Sequence, residues 1–250
     1  MKDVGNLAKN REYYIRTRFP NLTFLFQKRF EWMRRYIGDT DDVLEVGCGI
    51  GVTKLFLSKG NITLSDIEDN PWLDRREDAQ RLTYGESSLD VIIANNMIHH
   101  LPRPLQFFRE ASRVLKRGGR LLIQDVNCSA CMRALLRVMR IEDFDFSVDA
   151  FDIRKDCAGA ADHWDGNAAI PNVLFDDMSR FENQVPAFKV VETRKSEFLV
   201  YICSGGINGK TVRVPLPYRL LRALDDVDEL LVSRFPQLFA LQLRVVLEKV

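Results

Sequence analysis

"VLEVGCGIG", residues 43–51, runs four mostly apolar residues into three glycines spaced two apart. A carboxylate, Glu45, sits in the middle of what reads as a buried strand. Downstream, "GVTKLFLSKG" (51–60) predicts a helix closed by Gly60, and "NITLSD" (61–66) a second strand. "SLDVIIANN" (88–96) is rich in β-branched residues and predicts another strand. "PLQFFREASRVLKRGG" (104–119) sets Leu105, Phe108, Ala111 and Leu115 on one helical face, with Pro104 opening the helix and Gly118 closing it. "GRLLIQDV" (119–126) is the next strand. Strands alternating with helices imply a parallel α/β sheet.

Upstream, "LTFLFQKRFEWMRRYI" (22–37) repeats Leu22, Phe26, Phe30, Met33 and Ile37 at helical spacing, and "REYYIRTRFP" (11–20) reads as a shorter basic and aromatic helix. Beyond Val126 the regular alternation stops. A helical stretch carries Leu135, Leu136 and Met139. "FKVVETRK" (188–195) and "EFLVYICSGG" (197–206) look like strands, "YRLLRALDDVDELLVSRF" (218–235) an amphipathic helix, and "LQLRVVLEKV" (241–250) a final strand. With no internal repeat and no low-complexity linker, a single domain is expected. It comprises a helical cap over 1–40, a core over 41–126, an insertion over 127–187, and completion of the sheet with a helical insertion over 188–250.

The 250 residues are 46% hydrophobic and 28% charged, an ordinary soluble composition, and the net charge of +1 gives no global field to attract nucleic acid. No apolar run approaches the roughly 20 residues that span a bilayer. "MKDVGNLAKNREYY" lacks the apolar segment of a secretory signal, so a cytoplasmic location is expected. Peripheral membrane contact, through Arg133, Arg137 and Arg140 on one side of a helix, is the variant of that expectation. Five cysteines make no disulfide framework in a chain of this length.

A glycine loop between strand and helix brings backbone N–H groups close to a ligand. The dinucleotide fingerprint G-x-G-x-x-G/A fails here, because counting from Gly47 ends on Val52 and from Gly49 on Lys54. A Walker-type phosphate loop fails too, since no G-K-[ST] follows. The chain instead resembles the class I S-adenosylmethionine-dependent methyltransferases, of the small-molecule, type 11-like kind. The resemblance covers residues 41–126 and rests on motifs in order: "VLEVGCGIG", "LSDI", "EDAQRL", and "SLDVIIANNMIHHLPRPLQFFREASRVLKRGGRLLIQD". It implies a Rossmann-like, mostly parallel seven-stranded sheet flanked by helices, S-adenosylmethionine as cofactor, and a small-molecule acceptor.

By that resemblance Gly47, Cys48, Gly49 and Gly51 form the donor loop, with Glu45 organising it and meeting the methionine ammonium. Asp66, beside Ile67, would hold the ribose diol; the alternative is an N-cap for "IEDNPWLD". Asp78 would accept from the adenine amine, with Ala79 as apolar cover, or else be a solvated loop acid. Asn95 would touch the methionine part, or cap its strand. A buried carboxylate such as Glu45 costs several kcal/mol unless it is partnered, so it demands a network of some kind.

Methyl transfer is an in-line displacement that chiefly needs alignment, and a hydroxyl acceptor usually also needs a base. His99, His100 and Asp125 are the candidates, Asp125 either as base or as orienter of a histidine. "ADHWDGNAAIP" (161–171) offers His163, Trp164, Asp165 and Asn167, a set suited to a polyhydroxylated ligand, and Tyr14 is a further acceptor-side candidate. The alternative is a structured surface loop around a packed tryptophan. A hydroxyl on a sugar-containing, lipid-linked or secondary-metabolite acceptor is therefore expected, with N- or C-methylation, or a non-catalytic donor-binding subunit, as rivals. "CSAC" (128–131) with Cys157 and His163 lacks regular zinc spacing, and no metal is expected. No nucleic-acid partner is expected, and the oligomeric state is left open.

Overall fold

The structure, a computed structural model, describes residues 7–140, 142–159, 162, 164–205 and 214–250. Two helices come first: α1 (Leu7–Thr17) and α2 (Pro20–Arg34), the latter started by its own Pro20. The sheet follows as β1 (Asp42–Val46), β2 (Asn61–Asp66), β3 (Arg75–Arg76), β4 (Leu89–Asn95) and β5 (Leu115–Val126), with α3 (Pro104–Val114) between the last two. Next come α4 (Ala130–Met139), α5 (Ile170–Phe175), α6 (Met178–Gln184) and β6 (Phe188–Ser196). Helices α7 (Leu199–Cys203), α8 (Tyr218–Arg234) and α9 (Pro236–Phe239) precede the last strand, β7 (Gln242–Lys249).

The seven strands lie in the order β3-β2-β1-β4-β5-β7-β6. The first five are parallel, while β7 runs antiparallel between β5 and β6. This is the mixed, mostly parallel sheet that the sequence implies. Central strands are covered on both faces, which is why β1 and β4 read as near-continuous apolar runs. Along β4, Ile92 and Ala94 join one apolar cluster with Phe107, Phe108 and Phe181, and Val91 and Ile93 join another with Phe26, Phe30 and Met33. The alternation splits the core into one layer on each side of the sheet.

Three expectations fail for reasons of tertiary structure. The helix over 51–60 reduces to a single 3₁₀ turn at Thr53–Leu55. Phe56 leaves the helical path to stack on Phe30, with ring centroids 5.6 Å apart and planes at 14°. Helix α3 ends at Val114 rather than at Gly118. Gly118, with φ of +77°, instead serves an excursion in β5 that shifts the pairing from Leu89↔Leu115 to Val91↔Arg120. The strand expected over 197–206 is helix α7 over its described part. Its backbone N–H groups at Phe198, Leu199 and Val200 all donate to the Asp228 carboxylate of α8, an N-terminal cap supplied from 28 to 30 positions away.

Candidate active site

Because β1, β2 and β4 are parallel, their carboxyl ends open on one edge of the sheet. The chain order reverses between β1 and β4, the place where open α/β sheets hold ligands. A cavity of about 520 Å³ lies there.

Gly47 and Gly49 leave β1 at φ of +64° and +53°. A Cβ on Gly47 would overlap the Met97 side chain, whereas one on Gly49 would meet no atom within 4 Å. The loop is therefore braced at Gly47 and open at Gly49, where its backbone faces the cavity. Cys48 and Ile67 line the same wall. Gly51, with φ of +59°, lies behind the loop, where a Cβ would overlap Trp72. Arg11 of α1 clamps this turn from outside. Its guanidinium donates to the carbonyls of Ile50 and Gly51 at 2.5 and 2.8 Å and lies over the Trp72 ring at 5.1 Å.

Asp66 ends β2 and faces the cavity. Its Oδ2 accepts from the Gly49 N–H at 2.9 Å and its Oδ1 from the Glu68 N–H at 3.2 Å. The second bond has the form of a cap, but no helix follows it. Asp78 and Ala79 line the cavity, with Asp78 Oδ1 accepting from the Gln80 N–H at 2.9 Å. Asn95 lines it as well, its Oδ1 accepting from the Asn96 amide at 3.2 Å.

Glu45 is 2% exposed and also lines the cavity. The Thr53 side chain hydrogen-bonds its carboxylate, yet Oε2 has no partner among the described residues. Burial, with Asp66 nearby, pushes its pKa to about 8 despite the Thr53 bond. An acid raised in the folded state holds a proton that the unfolded chain has released. Its contribution therefore makes stability fall as pH rises from about 4.5 to about 8 and level off above that. The ligand-free protein is accordingly expected to lose Tm relative to Glu45→Gln between about pH 5 and pH 8. Melting curves of the two proteins that stay parallel throughout would show that Glu45 has an ordinary pKa.

The far side of the cavity is built from the turn after β4 and the segment before α5. His99 is 3% exposed. Its Nδ1 lies 2.5 Å from Asp125 Oδ1, and its Nε2 lies 3.6 Å from Glu142 Oε2. His100 Nε2 stands 3.6 Å from Glu142 Oε1. Burial lowers the His99 pKa, but the Asp125 and Glu142 carboxylates outweigh it and hold the imidazole well above its ordinary value. Burial and the neighbouring His99 press His100 down to about 4. Trp164 joins the two halves. Its Nε1 donates to Glu68 Oε1 at 2.8 Å, and its ring meets the His100 ring edge-on at 6.1 Å.

Asp125 is fully buried, accepts from the backbone N–H groups of Ile98 and Val126 and braces His99, which is the position of a histidine's orienter, one of the two places the sequence offered it. Three candidates do not stand where the sequence put them. Tyr14 is buried in the core, edge-on to Phe26, with its hydroxyl against Thr23, and does not line the cavity. Asp165 is exposed and lies outside the cavity lining. Asn167 is a structural hub: its amide donates to the carbonyls of Asp145 and Cys157, and its oxygen accepts from Asp145 and Ala169. His163 lies outside the described residues. Among the described candidates of the loop at 161–171, Trp164 is the one that reaches the cavity. Glu142 escaped the sequence reading, since it sits in an aperiodic segment and acquires meaning only beside the two histidines. Arg29 escaped it too, because it lies on the apolar face of α2, where it lines the cavity and pairs with buried Glu197.

The sequence family described as "Methyltransferase domain" matches residues 44–123, which run from the glycine loop through most of β5. Over these residues the chain carries a class I S-adenosylmethionine-dependent methyltransferase domain. It is similar to 27-O-demethylrifamycin SV methyltransferase of Amycolatopsis mediterranei, 31% identical over 104 residues that cover 34% of this chain and 38% of that protein. It is similar also to Methyltransferase GfsG of Streptomyces halstedii, 33% identical over 103 residues that cover 34% of this chain and 37% of that protein. The matched stretch thus spans less than two fifths of either relative. The fold matches a SAM-dependent methyltransferase from Archaeoglobus fulgidus with a TM-score of 0.54, covering 95% of this chain and 98% of that one at 14% identity. The methyltransferase domain implies S-adenosylmethionine as the cofactor. The unpartnered Oε2 of Glu45 and the open face of Gly49 fit that molecule, which carries a cationic amino-acid end. Among the described residues, no helix is long and apolar enough to cross a membrane.

Proposed function

We propose that this chain transfers the methyl group of S-adenosylmethionine to a hydroxyl of a small, largely apolar acceptor. One observation carries the reading. A single cavity joins Glu45, Gly49 and Asp66 at one end to His99, His100, Glu142 and Trp164 at the other. Glu45 would meet the ammonium of the donor, Asp66 the ribose diol, Asp78 and Ala79 the adenine, and Asn95 the methionine part. When bound, the donor supplies an already activated methyl group.

What remains for the chain is to align the acceptor, exclude water and take up a proton. Leu135, Leu136 and Met132 of α4 and Tyr201 of α7 line the cavity and would cover an apolar body. His99, held protonated by two carboxylates, is a poor proton acceptor. His100 is neutral at physiological pH, and its Nε2 faces Glu142, which would stabilise the imidazolium once formed. A hydroxyl, a weak nucleophile until its proton is taken, gives this group its clearest task. The name of the rifamycin-class relative, an O-methyltransferase, agrees with the hydroxyl reading. A sugar acceptor loses much of its support, because Asp165 and Asn167 turn away from the cavity.

The test is transfer of isotopically labelled methyl from S-adenosylmethionine to a panel of apolar alcohols, phenols, amines and activated carbon acids, with the product bond assigned by mass spectrometry and NMR. A labelled ether is the expected product. Label on nitrogen or carbon would replace the hydroxyl reading. Donor binding with no product across the panel would favour a non-catalytic subunit.

A further inference from the structure

The three side chains at the acceptor end are arranged as ligands. The potential donor atoms of His99, His100 and Glu142 lie within 4.8 Å of one another, and each histidine Nε2 stands 3.6 Å from a different oxygen of the same carboxylate. Ligands about 2.0–2.1 Å from a tetrahedral zinc ion stand about 3.3–3.4 Å apart, so each histidine is within a few tenths of an ångström of that spacing from its own Glu142 oxygen, and the three side chains would converge further, from separations of at most 4.8 Å, to share one ion. Two imidazoles and one carboxylate form a set that favours a first-row transition ion over magnesium or calcium, which prefer all-oxygen shells.

The surroundings match at His99, whereas the Nδ1 of His100 is buried with no hydrogen-bond partner among the described residues. A metal-bound histidine normally donates its other ring N–H to a carboxylate or carbonyl, which fixes the tautomer and the ring plane. His99 Nδ1 meets Asp125 Oδ1 at 2.5 Å, and Asp125 is itself held by the N–H groups of Ile98 and Val126. That bond leaves Nε2 as the ring nitrogen that faces Glu142, and an ion bound there would displace the proton this nitrogen carries in the ion-free protein. His99 is fixed at the backbone too, its carbonyl accepting from the Asn167 N–H at 2.8 Å. All three ligands line the cavity, so a fourth coordination position opens into the space where an acceptor would lie.

We infer that His99, His100 and Glu142 form a site for one divalent transition-metal ion of the zinc type, with its open position toward the acceptor. The three protein ligands and one open position are the pattern of a catalytic rather than a structural zinc site. Binding of the ion stands on this geometry alone. Its use rests on the methyl-transfer reading, since an ion there would polarise the acceptor hydroxyl and lower its pKa. In the ion-loaded protein the histidines would serve as ligands, and the hydroxyl proton, acidified by the ion, would pass to water in place of His100.

The experiment is metal binding by the intact chain without donor or acceptor. Protein stripped by chelator is titrated with Zn²⁺ by calorimetry and with Co²⁺ by visible absorption, and bound metal is counted after gel filtration. One equivalent is expected, with a Co²⁺ spectrum of low-symmetry N/O ligation lacking sulfur charge-transfer bands. Glu142→Gln and His100→Ala are each expected to weaken binding at least tenfold, whereas Cys128→Ser with Cys131→Ser is expected to leave it unchanged. Melting of the metal-free variants identifies any that have merely unfolded. The proposal is overturned if the folded wild-type chain retains no stoichiometric ion, or if the cysteine variant and not the Glu142 variant loses it. Methyl transfer by the stripped protein is scored separately. Transfer undiminished without metal would remove the ion's role but leave the site, and absence of transfer under every condition would sink the methylation reading without touching the binding result.

Discussion

Replacing Asp66 with alanine is expected to weaken binding of S-adenosylmethionine by about two orders of magnitude while leaving the chain folded. Hydrogen bonds to a charged group contribute about 1.5–3 kcal/mol each, and a ribose diol offers two of them to one carboxylate. Stability should change little, because two effects oppose one another. The variant loses the bonds from the Gly49 and Glu68 N–H groups. It also loses a carboxylate whose pKa burial raises, that is, a group that resists ionising where it stands. Calorimetry on wild type, Asp66→Ala and Asp66→Asn, with melting curves as the control, decides the matter. Affinity unchanged in Asp66→Ala would place the ribose elsewhere. Affinity restored by Asp66→Asn would assign Asp66 mainly to shaping the loop through Gly49.

The largest loss of stability is expected from Glu197→Ala, about 3–5 kcal/mol. Arg29 Nε and Nη2 reach the two Glu197 oxygens at 2.9 and 2.7 Å, both side chains are almost wholly buried, and Gln124 adds a third donor at 2.6 Å. Burial by itself would raise the Glu197 pKa, but Arg29 overcomes it and the value ends below the ordinary one. Removing the carboxylate strands a guanidinium inside the protein. For a chain of this size the expected fall in Tm is on the order of 10 °C or more. Removing both charges is a milder change, because a buried pair repays little beyond its own desolvation. The double variant Arg29→Met, Glu197→Met should therefore recover most of the loss. A double variant that loses the sum of the two single losses would show that the two residues are not energetically coupled.

That Glu45, Gly49 and Asp66 would stand together at one end of a cavity was legible because their placement is local. Glu45, the glycines and Asp66 lie within one strand-loop-strand unit, and the strand pairing follows from the apolar runs. The acceptor half was not, because its roles are assigned by partners far away in sequence. His99 is a braced imidazole only because Asp125 lies 26 positions on, and Glu142 acquires meaning only beside the two histidines. Tyr14 and Asn167 misled for the same reason. Both are polar residues whose partners, Thr23 for one and the carbonyls of Asp145 and Cys157 for the other, absorb them into the framework. The helix-for-strand error at α7 has that origin too, since the Asp228 carboxylate that caps it belongs to another helix.

The clamp of Arg11 on the glycine loop bears on the shape of the donor end. Helix α1 supplies both this clamp and Leu7 of the cavity wall. Lifting α1 would break two hydrogen bonds and a cation–π contact and would also withdraw Leu7 and Tyr14 from the core, at about 1.5–3 kcal/mol for each side chain. A helix that touches none of the reacting atoms would thus fasten the glycine loop to the hydrophobic core, so that the loop keeps one shape whether or not a ligand is bound.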